Sequence, residues 1–189
     1  MTTSYGKLNY NYDYDRRSLT LLGQKYGLVE PGMHASGLSL FGIDWSVSLN
    51  TVARVGAGDT ICVLPTSLDV FIGFREPTIY IDNGLKKDGC RYNLVLRHEH
   101  QHQQVSIAAL EYFMPRIRAE IQKALPVVRP RAVASLSATD AATEEMNGEY
   151  IRLIRPLVND FKATLLYEQK KLDNRENYRF ESGVCKGRP

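Results

Sequence analysis

The spacing of apolar residues changes character about halfway along the chain. Before about residue 90, short segments rich in Val, Ile, Thr, Tyr and Phe alternate with Gly, Pro and Asp, which is typical of β-strands joined by turns. The polar, tyrosine-rich residues 1–16 precede them as a loose arm or an edge strand. The strands predicted on this basis are Ser18–Leu22, Asp44–Asn50, Thr60–Leu64, Leu68–Phe74 and Thr78–Asp82.

In the second half, apolar residues recur every three or four positions, as they do on one face of a helix. This pattern predicts one helix over about 92–125, with a kink or break at Pro115, and a second over about 139–177, with a kink at Pro156. A connector containing three prolines, residues 126–136, separates the two helices.

A chain of 189 residues is large enough for one well-buried core and small for two. We therefore predict an α+β fold in which an N-terminal antiparallel sheet, over about 17–90, precedes a long helical hairpin. The sheet and the hairpin are expected to form a single domain over 17–189, with residues 1–16 as an arm outside it.

Composition excludes some classes of function. The net charge of +3 is mild and the Lys and Arg residues are dispersed, so no nucleic-acid partner is expected. No apolar run approaches the roughly 18 residues of a membrane span. The first residues have no apolar signal segment, so a secreted or periplasmic location would require a leader that has been removed. Oligomeric state and compartment are left open.

The cysteine pattern does not predict a set of structural disulfides. Cys62, Cys90 and Cys185 are an odd, widely spaced set without a C-x-x-C pair, which argues against a cysteine zinc site. The sequence favours three free thiols at least as much as one bridge.

Candidate chemistry is concentrated in the first predicted helix. Residues His98, Glu99 and His102 form the pattern H-E-x-x-H. Because residues four apart lie on one helix face, the two histidines can bind the same zinc ion. Glu99 projects beside them, where a general base can reach a water on the metal. The pattern therefore predicts a catalytic zinc site.

The alternative is a polar helix face that collected histidines by chance. Against it, His98 and His102 continue an apolar stripe that includes Phe113 and Ile117, so both are predicted to point inward, where they need a shared partner. His100 is rotated away from them and is predicted to be an exposed histidine without a role.

The third zinc ligand is expected to be an acid of the second helix. An antiparallel hairpin turning near residue 132 places the histidines opposite roughly residues 162–170. Glu168 lies in that range and on the predicted apolar stripe of the second helix, so it is the first choice. The alternative is a Glu at the helix margin that pairs with Arg97. Glu176 and Asp173 are the second and third choices.

The helical His98-Glu99-x-x-His102 resembles the zincin metallopeptidases, and a downstream helical Glu resembles their gluzincin branch. More narrowly, the chain looks like a small bacterial family of predicted secreted zinc-dependent proteases, whose final motif is Q-x-x-Y-D-x-x-T-x-H. The corresponding residues here are Gln169-x-x-Leu172-Asp173-x-x-Glu176-x-Tyr178. Glu176 and Tyr178 stand where the family has Thr and His, so either is a rival to Glu168 as third ligand, and a degenerate enzyme is also compatible with the motif.

The resemblance implies a zinc-dependent hydrolase that cleaves peptide bonds, with Zn²⁺ as cofactor and a peptide or protein as substrate. Glu99 would move the proton, and Tyr178, or as a weaker choice Tyr167, would donate a hydrogen bond to the oxyanion. Zincins bind extended peptides along an edge strand, for which Thr78–Asp82 is a candidate, an ordinary internal strand being the alternative. Other candidate functions are a non-catalytic binding or structural protein of the same fold and an amidase of cell-wall peptides.

Overall fold

The structure is a computed structural model that describes residues 1–185 except 57 and 59. Six strands precede the two long helices, and a short seventh strand lies between them. The α+β class predicted from the sequence is confirmed. In chain order the elements are β1 (Thr2–Ser4), β2 (Asn9–Asn11), α1 (Arg16–Lys25), β3 (Gly37–Leu40), β4 (Ile43–Val55), β5 (Ile61–Phe74), β6 (Thr78–Ile81), α2 (Cys90–Ala124), β7 (Arg131–Val133), α3 (Thr139–Leu172) and α4 (Arg175–Val184).

The chain divides into two compact units, which we call unit 1 and unit 2. Unit 1 comprises Met1–Ser4, Ile43–Gly73 and Leu110–Ala163. Unit 2 comprises Tyr5–Gly42, Phe74–Ala109 and Thr164–Pro189. Because α2 and α3 each contribute to both units, this division leaves the single domain over 17–189 a prediction.

Unit 1 contains a four-stranded sheet in which β5 is central. The strand β1 pairs with β5 in parallel at Thr2–Phe71, β7 pairs with β5 antiparallel at Cys62–Ala132, and β4 is the other neighbour of β5. The inward positions of both long helices in this unit are apolar. Its most deeply buried side chains are Val63, Ile72, Leu110, Phe113, Ile117, Met146, Tyr150, Ile154, Val158 and Phe161.

Unit 2 contains a three-stranded sheet in the order β2-β6-β3. The strand β2 runs parallel to β6 and β3 runs antiparallel to it. The strands therefore form two sheets, each with one parallel pair, rather than the one antiparallel sheet expected. The reason is the N-terminal arm, which supplies the parallel strand of each sheet. The strand predicted at Thr78–Asp82 is present as β6, and it lies inside its sheet rather than at the edge.

One predicted strand is wrong. Ser18–Leu22 lies in the helix α1, because the Asp15 side chain caps that helix by accepting a hydrogen bond from the Ser18 amide at 2.7 Å. Leu19, on the inner face of α1, is completely buried. The strands predicted at Thr60–Leu64 and Leu68–Phe74 are parts of the single strand β5.

The last predicted helix is interrupted. Instead of continuing to about 177, α3 ends at Leu172, and Asn174 caps a new helix by accepting from the Asn177 amide at 2.8 Å. The far end of this helix, α4, is joined to the start of α2 by a disulfide between Cys185 and Cys90, so of the two alternatives left open by the sequence the structure has the single bridge. Cys62 is free.

Both long helices continue through a proline, Pro115 in α2 and Pro156 in α3. Over the described residues, neither these helices nor the shorter ones have an apolar stretch long enough to cross a membrane.

Candidate metal centre

Two successive turns of α2 bring the H-E-x-x-H residues into the interior of unit 2. His98, Glu99 and His102 are only 5%, 4% and 7% exposed, as the inward orientation predicted for the two histidines requires. A helix residue four positions beyond another lies above it on the same face. Their imidazole rings accordingly stand next to each other, with centroids 4.8 Å apart.

Three ligand atoms converge on one point beside these rings. The Nε2 atoms of His98 and His102 are 3.1 Å apart. Asp173, at the junction of α3 and α4, places Oδ1 at 3.1 Å from the Nε2 of His98 and 3.2 Å from that of His102. The three atoms form a nearly equilateral triangle.

The opposite ring nitrogens are engaged elsewhere, which fixes where the protons lie. The Nδ1 of His98 is 3.1 Å from Glu181 Oε1, and a carboxylate can only accept, so His98 donates there. The Nδ1 of His102 contacts Gln169 Oε1. The amide of Gln169 is oriented by its own nitrogen, which donates to the His102 carbonyl at 2.9 Å and to Ser106 Oγ at 2.8 Å. In the neutral form, both histidines therefore direct an Nε2 lone pair at Asp173.

The electrostatics of the centre favour positive charge. Burial lowers the pKa of His98, but the carboxylates of Asp173, Glu99 and Glu181 outweigh it and raise the pKa to about 9. For His102, burial is again outweighed, chiefly by Asp173, and the pKa is raised. Burial raises the pKa of Asp173, but hydrogen bonds from both histidines hold it well below its usual range. A cation at this point, whether protons or a metal ion, is stabilised by the surrounding acids.

Glu99 is held on the β3 side of α2. Ser39 of β3 donates from Oγ to Glu99 Oε2 at 2.7 Å. Burial raises the pKa of Glu99, and the two histidines oppose that shift. The approach of β3 requires a glycine, because a Cβ at Gly37 would lie 2.5 Å from Glu99 Oε1 and 2.6 Å from Val95 Cγ1. Glu99 is thus a buried carboxylate close to the histidines and fixed in orientation by one hydroxyl.

Tyr178, predicted as an oxyanion donor, lies at the centre. Its hydroxyl donates to Asp173 Oδ1 at 2.5 Å, and its ring centroid is 5.5 Å from that of His98. Burial and the nearby Asp173 carboxylate raise the pKa of the phenol, so the hydroxyl keeps its proton. Tyr178 is 37% exposed and therefore can meet a molecule from solvent.

Glu168, the first choice for the third ligand, does not join the histidines. Its carboxylate is half-buried and forms an ion pair with Lys171 at 2.7 Å. Asp173, the third choice, occupies the expected position instead. The cause is the phase of α3: after the buried Leu165 the inward positions continue at Gln169 and Asp173 rather than at 168 and 172. Steps of three and of four both fit a helix of 3.6 residues per turn, so the pattern alone does not choose.

The other predicted residues lie outside the triangle. Glu176 is exposed in the first turn of α4. Tyr167 is 62% exposed, with the Lys171 ammonium over its ring at 4.4 Å. His100 is half-buried rather than exposed, and its Nε2 is 3.2 Å from the Tyr10 hydroxyl, away from the other two histidines.

Sequence reasoning missed the residues that orient the centre. Ser39 and Glu181 had no signal, because each is a single polar residue whose partner is distant in the sequence. Gln169 entered only as part of the family motif. Ser106 could have been found, since it lies four positions after His102 and so continues the inward face of α2.

The triangle has the dimensions of a zinc site. Tetrahedral zinc with bonds of about 2.0–2.1 Å holds its ligand atoms roughly 3.3–3.4 Å apart. The three edges here are 3.1, 3.1 and 3.2 Å. Two imidazoles and one carboxylate are ligands of the borderline character that zinc prefers. His98, His102 and Asp173 therefore fit a zinc ion with a fourth position left for water or substrate.

Comparison with protein-family models, with curated proteins and with solved structures finds no match to this chain.

Proposed function

We propose that the protein is a zinc-dependent hydrolase, a metallopeptidase of the zincin type, with His98, His102 and Asp173 as metal ligands. The observation that carries the proposal is the orientation of the two imidazoles. Each donates its Nδ1 proton outward, to Glu181 or Gln169, so that two lone pairs and a carboxylate oxygen face one another at 3.1–3.2 Å. Three acceptors at such distances repel unless a cation lies among them, either a proton on an imidazole Nε2 or a metal ion in its place.

Zinc bound there would act as a Lewis acid and bring the pKa of a bound water close to 7. Glu99 is the general base: it follows His98 directly on α2, and only one of its oxygens is engaged by Ser39. Glu99 takes a proton from the attacking water and returns it to the leaving amine. Its burial suits this exchange, because a raised pKa brings a carboxylate closer to the working pH.

Tyr178 supplies a hydrogen bond to the oxyanion of the tetrahedral intermediate. Its hydroxyl is beside the ligand Asp173 and keeps its proton, and the partly exposed ring can turn toward a substrate carbonyl. A positioned neutral donor of this kind lowers the barrier because the charge it binds develops only in the transition state.

The substrate that suits the site is an extended peptide paired with β3. This strand is an edge of the unit 2 sheet over the described residues, and its Ser39 contacts the base Glu99. Peptides commonly bind by adding a strand to such an edge. The assignment moves the substrate strand from Thr78–Asp82, which lies inside the sheet, to Gly37–Leu40.

The metal ligands are tested by zinc content. We expect about one zinc per chain in the purified protein and loss of that zinc in His98→Ala and Asp173→Ala. The matched control is Glu168→Gln, which changes an acid of the same helix whose carboxylate pairs with Lys171. Zinc retained in Asp173→Ala but lost in Glu168→Gln would identify Glu168 as the ligand and contradict the proposal.

The catalytic role is tested with Glu99→Gln. This variant should keep zinc and lose cleavage of a mixed peptide substrate by about two to four orders of magnitude, the usual contribution of a general acid–base group. A Glu99→Gln protein that cleaves as well as the unaltered one rules out the mechanism. Zinc binding without cleavage in the unaltered protein would instead indicate a non-catalytic metal protein.

A further inference from the structure

We propose that α4 is a detachable arm of the metal centre, in which Glu181 sets the metal affinity of His98 and the Cys90–Cys185 disulfide holds Glu181 in place. This inference rests on the proposed zinc site. It assigns Glu181 as a positioning residue and makes metal affinity depend on the redox state of two cysteines.

The first observation is that apolar burial does not hold α4. The helix has ten residues, and its apolar side chains Phe180 and Val184 are 73% and 37% exposed, whereas the side chain of Glu181 is only 16% exposed. A helix of this length is marginal in water by itself, and most helices in proteins depend on packing of an apolar face. Specific contacts must therefore keep α4 in position.

Polar and covalent contacts hold α4 at both ends. At its start, Asn174 caps the helix, Asn177 donates to the Leu172 carbonyl at 3.1 Å, and Tyr178 bonds to Asp173. In its last turns Glu181 forms a hydrogen bond with His98, and the disulfide follows at Cys185. This disulfide is a covalent cross-link, and it joins cysteines 95 positions apart in the sequence. With the bond intact, α4 is tied at both ends, which gives Glu181 a high effective concentration at His98.

The second observation is what Glu181 does at the ring. By accepting the Nδ1 proton at 3.1 Å, its carboxylate fixes the tautomer of His98 and makes Nε2 a better donor to a metal. Removing such a partner from a ligating histidine lowers metal affinity by about 10- to 100-fold. If cleavage of the disulfide frees α4, the affinity of His98 for the metal falls for the same reason, because Glu181 no longer accepts its Nδ1 proton.

The experiment measures zinc affinity by competition with a chromogenic chelator. The background is Cys62→Ser, so that no free thiol competes for zinc. Three proteins are compared with it: Cys90→Ser/Cys185→Ser, Glu181→Leu, and the combination of all three changes. Serine replaces cysteine because reduced thiols would themselves bind zinc.

The expected result is non-additive. The double serine variant and Glu181→Leu should each lose about 10- to 100-fold in zinc affinity, and the combined variant should lose little more, because both changes remove the same hydrogen-bond acceptor from the His98 Nδ1. Glu176→Leu, at an exposed acid of the same helix, is the control and should leave affinity unchanged. The visible spectrum of the cobalt-substituted protein should change in the same variants, which a general loss of stability would not cause.

Two results would overturn the inference alone: zinc bound with unchanged affinity in the double serine variant, or losses that add in the combined variant. If the double serine variant does not fold by circular dichroism, Glu181→Leu decides, and unchanged affinity there overturns the role of Glu181. A disulfide-bearing protein that binds no zinc at all overturns the proposed function as well.

Discussion

Two ends of the same helix pair bury side chains of opposite character. In unit 1 the inward positions of α2 and α3 are apolar, as at Leu110, Phe113 and Phe161. In unit 2 the same helical spacing places His98, His102 and Ser106 inward on α2, with Gln169 and Asp173 contacting them from α3 and its end. The described residues that are both buried and polar or charged, which are Thr20, Asp82, His98, Glu99, His102 and Ser106, all belong to unit 2.

This contrast separates what periodicity determines from what residue chemistry determines. The helical repeat decides only which positions face inward. An apolar side chain there gains free energy from burial, whereas a polar one costs free energy unless another group satisfies it. In unit 2 the two inward histidines and their polar partners form hydrogen bonds with one another in a single network, so removing one partner affects the others. In unit 1 each side chain contributes mainly through its own volume.

The largest effect is expected in unit 1, at Phe161. This side chain is fully buried and its ring centroid is 5.5 Å from that of Phe113. Phe161→Ala leaves a cavity and should lower the free energy of unfolding by about 3–5 kcal/mol. Urea unfolding measures the loss. Zinc affinity of the folded variant should stay within a factor of about two of the unaltered protein. A larger change in zinc affinity would contradict the contrast between the two units.

Substitution of Gln169 in unit 2 should have a smaller effect on stability than Phe161→Ala but a larger effect on zinc affinity. Gln169→Leu keeps the volume roughly constant and removes the acceptor of the His102 Nδ1 proton. An unsatisfied buried donor costs about 1–3 kcal/mol of stability, and loss of the orienting partner should weaken zinc binding by about 10- to 100-fold. Urea unfolding and chelator competition measure the two changes. A more stable variant with unchanged zinc affinity would mean that the network has no orienting role.

The most gradual change is expected from pH, in protein freed of metal. The pKa of His98 is raised from its ordinary value of 6.5 to about 9 in the folded state. Folding therefore gains stability from the protonated ring, fully present below pH 6.5 and lost as pH rises toward about 9. For one proton the slope cannot exceed about 1.4 kcal/mol per pH unit.

Unfolding midpoints in urea between pH 6 and pH 9.5 would show this decline in the metal-free protein. His98→Gln provides the control, because it lacks this titrating ring and should make the profile shallower, leaving the decline due to His102, whose pKa is also raised. A stability that rises over this interval would contradict the arrangement of acids around His98. In unit 1, no change made at Phe161 should alter the slope, since that side chain does not titrate.

The candidate site was predictable where it lies on one helix. The inward direction of His98 and His102 and the position of Glu99 beside them follow from spacing within α2, which is fixed by the geometry of a single helix. Asp173 was not selected, because its place depends on how two helices are offset. In unit 1 the Tyr150 hydroxyl bonds to the Leu125 carbonyl, just after the end of α2, at 3.1 Å. Since α3 begins at Thr139, three of its turns come before Tyr150, the residue that lies level with the end of α2.

The connector explains this offset. A simple loop near residue 132 would start the helices opposite each other, but the chain first forms β7, which pairs with β5 at Ile61–Val133, before α3 begins. The sequence of the connector does not predict this pairing, because a strand as short as the three-residue β7 depends on its neighbour for every inter-strand hydrogen bond. The expected partners of the histidines were therefore several residues too early in α3.

By itself, the sequence determined the α+β class, the two long helices and the inward H-E-x-x-H residues, because each follows from local periodicity. The tertiary structure decided the division of the strands into two sheets, Asp173 in place of Glu168, the disulfide of Cys90 with Cys185, and Glu181 and Gln169 behind the histidines. These features join residues far apart in the chain, and their distances depend on the register between elements, which side-chain patterns along one element do not encode.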